Sequence, residues 1–295
     1  MKHVVLAATL TPFRHDGSLW LERVPAYLEY LTSLGVDGFL ALGTNGEFAS
    51  LDIDERERVL EAMVEASAGA RILANVGGTV VHDVLRLTRH ARATGADGVA
   101  LLPPYYFPTS ARAYEELARR VADAFEGPIH LYNIPRYTGF TIPVETVAAL
   151  AHDGTAAGLK DSSQDLAYLD AVRAAAPRIE YLMGSDTTLI AGLEHGVGGV
   201  ASGMANTFPD VVVGATRAFE RGAPLEAWSD LVRRIRTLFG AHPYLAATRH
   251  AIAARGMDVG PVRAPLMDLT PEERAVASEA IGSILASLPS TEVAP

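Results

Sequence analysis

Eight short apolar or β-branched runs recur along the chain, each closing on small or turn-forming residues and most separated from the next by a stretch of helical period. They are "VVLAATLTPF" (4–13), "VDGFLALGTNGE" (36–47), "RILANVGGT" (71–79), "ADGVALLPPYY" (96–106), "PIHLYNIP" (128–135), "TAAGLKDSS" (155–163), "IEYLMGSD" (179–186) and "VGGVASGMAN" (197–206). The runs are nearly continuous in apolar residues, as strands covered on both faces require. The stretches between them, such as "DERERVLEAMVEASAG" and "AYEELARRVADAFEG", place apolar residues at helical spacing and stop at Gly. Eight such alternations predict an α/β fold of the (β/α)8 TIM-barrel type, with a doubly wound open sheet as the competing arrangement. Residues 1–208 would form the barrel and carry the site. Residues 209–288, including "PLEAWSDLVRRIRTLF" and "TPEERAVASEAIGSILASL", read as a C-terminal helical extension, and 289–295 as a disordered tail.

In parallel barrels the active site forms where the strands end. The predicted strand ends carry Thr44, Asn45, Tyr105, Tyr106, Tyr132, Asn133, Lys160, Asp161, Ser185, Asp186 and Ser202. Lys160 stands out among them: of 25 lysines and arginines only Lys2 and Lys160 are lysines. Arginine serves surface charge and bidentate anion binding, but a desolvated lysine can lose its proton and attack a carbonyl. Side chains alternate along a strand, so Tyr132 and Lys160 face the barrel interior if Leu131 and Leu159 face the helices. A phenol beside an amine in a dry cavity suits Schiff-base chemistry, with the phenol carrying protons. The bland alternatives are a structural ion-pair lysine and a tyrosine packed only as a ring. "GTNGE" offers a hydroxyl and turn amides that could hold a carboxylate, or it is ordinary turn chemistry.

The net charge of −10 and pI near 5.4 argue against nucleic acid or an anionic membrane as the main partner, which leaves small molecules. No apolar run approaches the roughly 20 residues of a membrane span. In the opening "MKHVVLAATLTPF", the "TP" and the following "RHDG" interrupt what could pass for a signal-peptide core, so a cytoplasmic protein is expected. The nine histidines show no H-E-x-x-H or other metal-ligand spacing, so His242 and His250 are read as structural. Neither a phosphate-binding P-loop nor a dinucleotide signature is present.

Taken in order, "GTNGE", "PPYY", "YNIP", "GLKDSS" and "GSD", followed by "VRAPLMDLTPEE", resemble the dihydrodipicolinate synthase / N-acetylneuraminate lyase family across essentially the whole chain. The resemblance implies a class I lyase in which Lys160 forms an imine with pyruvate or another 2-oxo acid, Tyr132 is the general acid/base, and Thr44 and Tyr106 complete a hydroxyl relay. It implies no metal or organic cofactor, and a homotetramer built as a dimer of dimers in which Tyr106 reaches into a neighbouring subunit. The "GTNGE" turn, with Thr44 and Asn45, would hold the substrate carboxylate. Two departures matter. Asn45 replaces the threonine common in that turn, which alters but keeps a hydrogen-bond donor. In "YNIPRYTG", Tyr137 stands where the synthases resemble "YN-P-x-R-TG", and Arg136 lies one residue earlier. A tyrosine lacks the charged fork that makes carboxylate recognition strong. The expected substrate is therefore a 2-keto-3-deoxy sugar acid such as 2-keto-3-deoxygluconate, cleaved, condensed or dehydrated, with Arg136, Tyr137, Ser185, Asp186, Ala201 and Ser202 as candidates for its variable part. The alternatives are 4-hydroxy-tetrahydrodipicolinate synthase, condensing pyruvate with aspartate semialdehyde, and a non-catalytic 2-oxo acid binding protein.

Overall fold

The computed structural model describes residues 2–288, so the expected tail at 289–295 lies outside the described residues. Eight parallel strands close on themselves in sequence order: β1 Val4–Ala8, β2 Gly38–Ala41, β3 Arg71–Asn75, β4 Gly98–Leu101, β5 Ile129–Asn133, β6 Ala156–Asp161, β7 Glu180–Met183 and β8 Gly199–Ser202. The fold is a (β/α)8 barrel, and the open-sheet alternative is set aside by the β1–β8 pairing, with Leu6 opposite Ala201. The strands are four to six residues long, shorter than the apolar runs that signalled them. The difference has a physical cause. Past Ala41 the chain leaves the sheet through Leu42 at φ 57° and turns back at Glu47, φ 53°, so the ends of these runs become the loops that build the site.

The helices between strands form where an apolar face and an end signal coincide. Helix Ile53–Ala66 opens with a capping box in which the Glu55 N–H donates to the Asp52 carboxylate at 2.8 Å and the Asp52 N–H donates to the Glu55 carboxylate at 3.1 Å. Helix Ala111–Phe125 buries Tyr114, Leu117, Ala118 and Val121, one stripe of a 3.6-residue period. Helix Pro209–Glu220 follows β8 and packs on β1, closing the outer ring. Helices Glu226–Gly240, Tyr244–Ala254 and Pro271–Leu285 then pack against one another. Among the described residues no helix is long and apolar enough to cross a membrane.

Inside the barrel, at the end where the strands begin, a polar layer spans three alternate strands. Arg71 of β3 donates to both carboxylate oxygens of Glu180 of β7 at 2.7 Å, and His130 Nε2 of β5 lies 2.7 Å from Glu180 Oε2. Gly158 of β6 is what admits the His130 ring, because a Cβ there would overlap it. Burial alone would raise the Glu180 carboxyl, but the hydrogen bonds and charges of Arg71 and His130 outweigh it and hold the group at about 2. A carboxyl depressed in the folded state adds stability above its unfolded value near 4.5, and that stability is lost as pH falls toward 2. Glu180→Gln should therefore flatten the acid side of the stability profile between these limits, read as melting temperature against pH. An unchanged acid limb would contradict the assignment.

Candidate active site

At the opposite end of the barrel the strand ends surround a cavity of about 340 Å³. Its floor is built by the pairing of β5 with β6, where Tyr132 stands opposite Lys160 and Asn133 opposite Asp161. Lys160 is 5 % exposed and Tyr132 2 %. The Lys160 Nζ lies 3.9 Å from the centroid of the Tyr132 ring, and the Tyr132 hydroxyl lies 3.2 Å from Thr44 Oγ1. Amine, phenol and threonine hydroxyl thus form one contiguous polar line under an open cavity. Asp161, next in sequence to the lysine, points away from it and takes hydrogen bonds from Asn133 Nδ2 and the Tyr181 hydroxyl, each at 2.7 Å. The carboxylate next to Lys160 in sequence is therefore not its ion-pair partner. Instead the Lys160 Nζ donates to Ser162 Oγ at 2.7 Å, and Ser162 Oγ donates to the Gly184 carbonyl at 3.2 Å.

The "GTNGE" turn is fixed from beneath. Glu47 is buried, and its carboxylate accepts from Arg249 Nη2 at 2.5 Å and from the Arg263 N–H at 3.0 Å. Arg249 also donates to the Thr11 carbonyl at 2.8 Å, and Thr11 Oγ1 donates to the Gly46 carbonyl at 2.7 Å. The turn is thereby tied both to the barrel and to helix Tyr244–Ala254. Among the described residues, no backbone carbonyl accepts from the Thr44 or Asn45 N–H, and both residues line the cavity.

Of the residues expected to be catalytic or to bind substrate, Thr44, Asn45, Tyr132, Arg136, Tyr137, Lys160, Ser185, Asp186 and Ala201 share this cavity. Two do not. Ser202 is fully buried, where its hydroxyl donates to Asp186 and accepts the Ala205 N–H at 3.0 Å. Asp186 in turn accepts the Met204 N–H at 2.9 Å, so this pair holds the loop after β8 in place. Burial pushes the Asp186 carboxyl up, opposed by these hydrogen bonds. Tyr106 lies on the loop after β4, 87 % exposed, at φ 79° and edge-on to Phe107 at 5.1 Å. Within one chain it does not reach Tyr132.

Sequence reasoning missed other cavity residues. Ser162 carried a usable signal, because it lies two positions past Lys160 and so on the same side of the strand line. Arg236, Phe239, His242 and Tyr244 carried none: they sit in the helical extension, and only tertiary packing brings them over the barrel mouth. His242, read as structural, lines the cavity. Gly203 allows Tyr244 and Asn45 to converge, since a Cβ there would overlap the Tyr244 hydroxyl.

A profile of the dihydrodipicolinate synthetase family matches residues 1–284. The chain belongs to that family. It is 38 % identical, over 92 % of its length and 91 % of the relative's, to an uncharacterised DapA-like lyase of Halobacterium salinarum. Among solved structures it is similar to YagE, a prophage protein of the same family from E. coli K12 determined in complex with pyruvate, with a TM-score of 0.91 and 26 % identity over 96 % of this chain and 98 % of that one. It is also similar to KD(P)GA from T. tenax, with a TM-score of 0.89 and 28 % identity over 97 % and 100 % of the two chains. The family consists of pyruvate-dependent aldolases and lyases, and this chain is an enzyme of the lyase type.

Ser162 is the only side-chain hydrogen-bond partner of Lys160 among the described residues. Ser162→Ala should slow adduct formation with pyruvate about tenfold in single-turnover kinetics, the order expected for one hydrogen bond to a charged group. An unaltered rate would mean that the serine does not orient the amine.

Proposed function

We propose that the protein is a Schiff-base aldolase acting on 2-keto-3-deoxy sugar acids. The reading is carried by the buried Lys160 amine set against Tyr132 and Thr44 at the floor of an open cavity. The neutral Lys160 Nζ attacks the C2 carbonyl of the 2-oxo acid, and Tyr132 delivers a proton to the departing hydroxyl, giving a protonated imine and water. The imine draws the electron pair of the C3–C4 bond as that bond breaks, while the C4 hydroxyl loses its proton to the Tyr132–Thr44 pair and an aldehyde leaves. The resulting enamine takes a proton at C3, and water then hydrolyses the imine to pyruvate and free Lys160. The amides of Thr44 and Asn45 hold the C1 carboxylate.

Tyr106 completes the relay from a neighbouring subunit in this reading, which accords with its exposed, positive-φ placement on the loop after β4. Such backbone costs roughly 1–2 kcal/mol for a residue with a Cβ, and a partner surface would offset it. The sugar-acid assignment is supported by the cavity wall, where Asn45, Tyr137, Ser162, Gln164, Ser185 and Tyr244 present hydroxyls and amides suited to a polyhydroxylated chain. Its structural similarity to a protein named KD(P)GA points the same way.

One observation favours the synthase reading: Arg136, displaced by one position from the arginine expected in synthases, still lines the cavity. The two readings separate in a direct assay. Pyruvate release from 2-keto-3-deoxy sugar acids, with no condensation of pyruvate and aspartate semialdehyde, is the expected result. Condensation without sugar-acid cleavage, abolished in Arg136→Ala, would replace it with the synthase. In the cleavage assay Tyr132→Phe should lower kcat about 10²- to 10⁴-fold, the range for loss of a general acid/base, and a decrease below tenfold would remove Tyr132 from the mechanism.

A further inference from the structure

Six non-glycine residues among those described adopt left-handed backbone: Leu42, Glu47, Ala68, Tyr106, Glu126 and Gln164. That region disfavours any side chain with a Cβ, and a residue persists there only where its surroundings or its task require it. Two of the six end helices, where the conformation is common: Ala68 lies just past helix Ile53–Ala66, and Glu126 closes helix Ala111–Phe125. Leu42 is buried and its carbonyl accepts from Asn75 Nδ2 at 2.8 Å, and Glu47 is buried under Arg249 and Arg263. Tyr106 is assigned above to a neighbouring subunit. Gln164, at φ 67°, has none of these explanations.

Gln164 lies between β6 and helix Leu166–Ala175, lines the catalytic cavity and is exposed. The hydrogen bonds of this segment belong to its neighbours. The Ser163 N–H and Oγ donate to the Asp161 carboxylate at 3.1 and 2.8 Å, and the Asp165 N–H donates to Ser163 Oγ at 3.2 Å. The Asp165 carboxylate then caps the helix by accepting the Tyr168 N–H at 3.0 Å. None of these bonds uses the Gln164 amide. The loop is held without it, and glycine would make the same turn with no Cβ to accommodate. The side chain is therefore kept for something outside the loop.

Position and chemistry define what that is. Lys160 is buried at the cavity floor whereas Gln164 is exposed at the rim, so the part of a ligand it meets is the end far from the carbonyl carbon. A primary amide both donates and accepts, and it carries no charge. A hydroxyl, which also donates and accepts, is its natural complement. We infer that Gln164 is a specificity-determining residue that hydrogen-bonds a hydroxyl beyond C4 of the substrate. The inference rests on the aldolase reading above and deepens it, since the preferred acid then carries a hydroxylated chain long enough to reach the rim.

The test compares pyruvate release from 2-keto-3-deoxygluconate and from 4-hydroxy-2-oxopentanoate, which has no hydroxyl past C4. In Gln164→Gly the preference for the longer acid, as a ratio of kcat/KM values, should shrink about 3- to 10-fold, the order of one neutral hydrogen bond. The change should come through KM, with the shorter acid and the rate of adduct formation with pyruvate unaffected. Gln164→Asn, which keeps an amide and tolerates left-handed backbone, should recover part of the preference. The melting temperature of Gln164→Gly should rise, because glycine relieves the backbone. A lowered melting temperature would instead assign the side chain to the loop and overturn the inference. A ratio unmoved in Gln164→Gly, or equal losses on both acids, would overturn it while leaving the aldolase intact. Release of pyruvate from neither acid by the unaltered protein would overturn the aldolase reading as well.

Discussion

The pairing of β5 with β6 is the constraint on which the rest of the site depends. Ile129 pairs with Ala156, but His130 pairs with Gly158, so Ala157 is an extra residue in β6. Without that bulge the pairing would continue His130 with Ala157 and set Lys160 opposite Asn133. Strand side chains alternate faces, so Tyr132 and Lys160 could not then both point into the barrel. The bulge shifts the register by one and places the amine over the phenol ring. Gly158 supports the same pairing from below by leaving room for His130, which in turn holds Glu180 with Arg71.

Division of labour between the two ends of the barrel follows from this geometry. Where the strands begin, Arg71 and His130 both turn to Glu180, whose carboxylate takes up their hydrogen bonds. Where the strands end, the polar groups are left partly unspent. The Lys160 Nζ has a serine and an aromatic face, the amides of Thr44 and Asn45 meet no backbone carbonyl, and Arg236 carries a donor with no acceptor. Helix Tyr244–Ala254 joins the two tasks, since Arg249 fixes the "GTNGE" turn through Glu47 while Tyr244 reaches the cavity wall. The C-terminal helices therefore contribute to the cavity wall as well as packing on one another.

Much of this was legible in the sequence. The eight apolar runs gave the barrel because buried parallel strands need apolar residues on both faces, and the rarity of lysine drew attention to Lys160. Alternation along the strands correctly separated Tyr132 and Lys160 from Leu131, Leu159 and Asp161. The strand ends were less legible, since Leu42 and Glu47 leave the sheet through positive φ without glycine to announce it. Ser202 read as a substrate contact because it closes a strand, but its hydroxyl is consumed by Asp186. Arg236 and His242 could not have been found by spacing. Their position over the barrel mouth comes from helix packing across long separations in the chain, which leaves no local pattern.

The account turns on whether Lys160 forms an imine, and trapping measures that directly. The protein is incubated with pyruvate and borohydride, followed by intact mass and peptide mapping; Lys2 and Lys160 are the only lysines, so the site assignment is almost unambiguous. The account predicts one reduced pyruvate adduct per chain on the peptide containing Lys160, lost in Lys160→Arg. A folded protein that gives no adduct, either with excess pyruvate or with 2-keto-3-deoxy sugar acids, or that carries its adduct elsewhere, would contradict it.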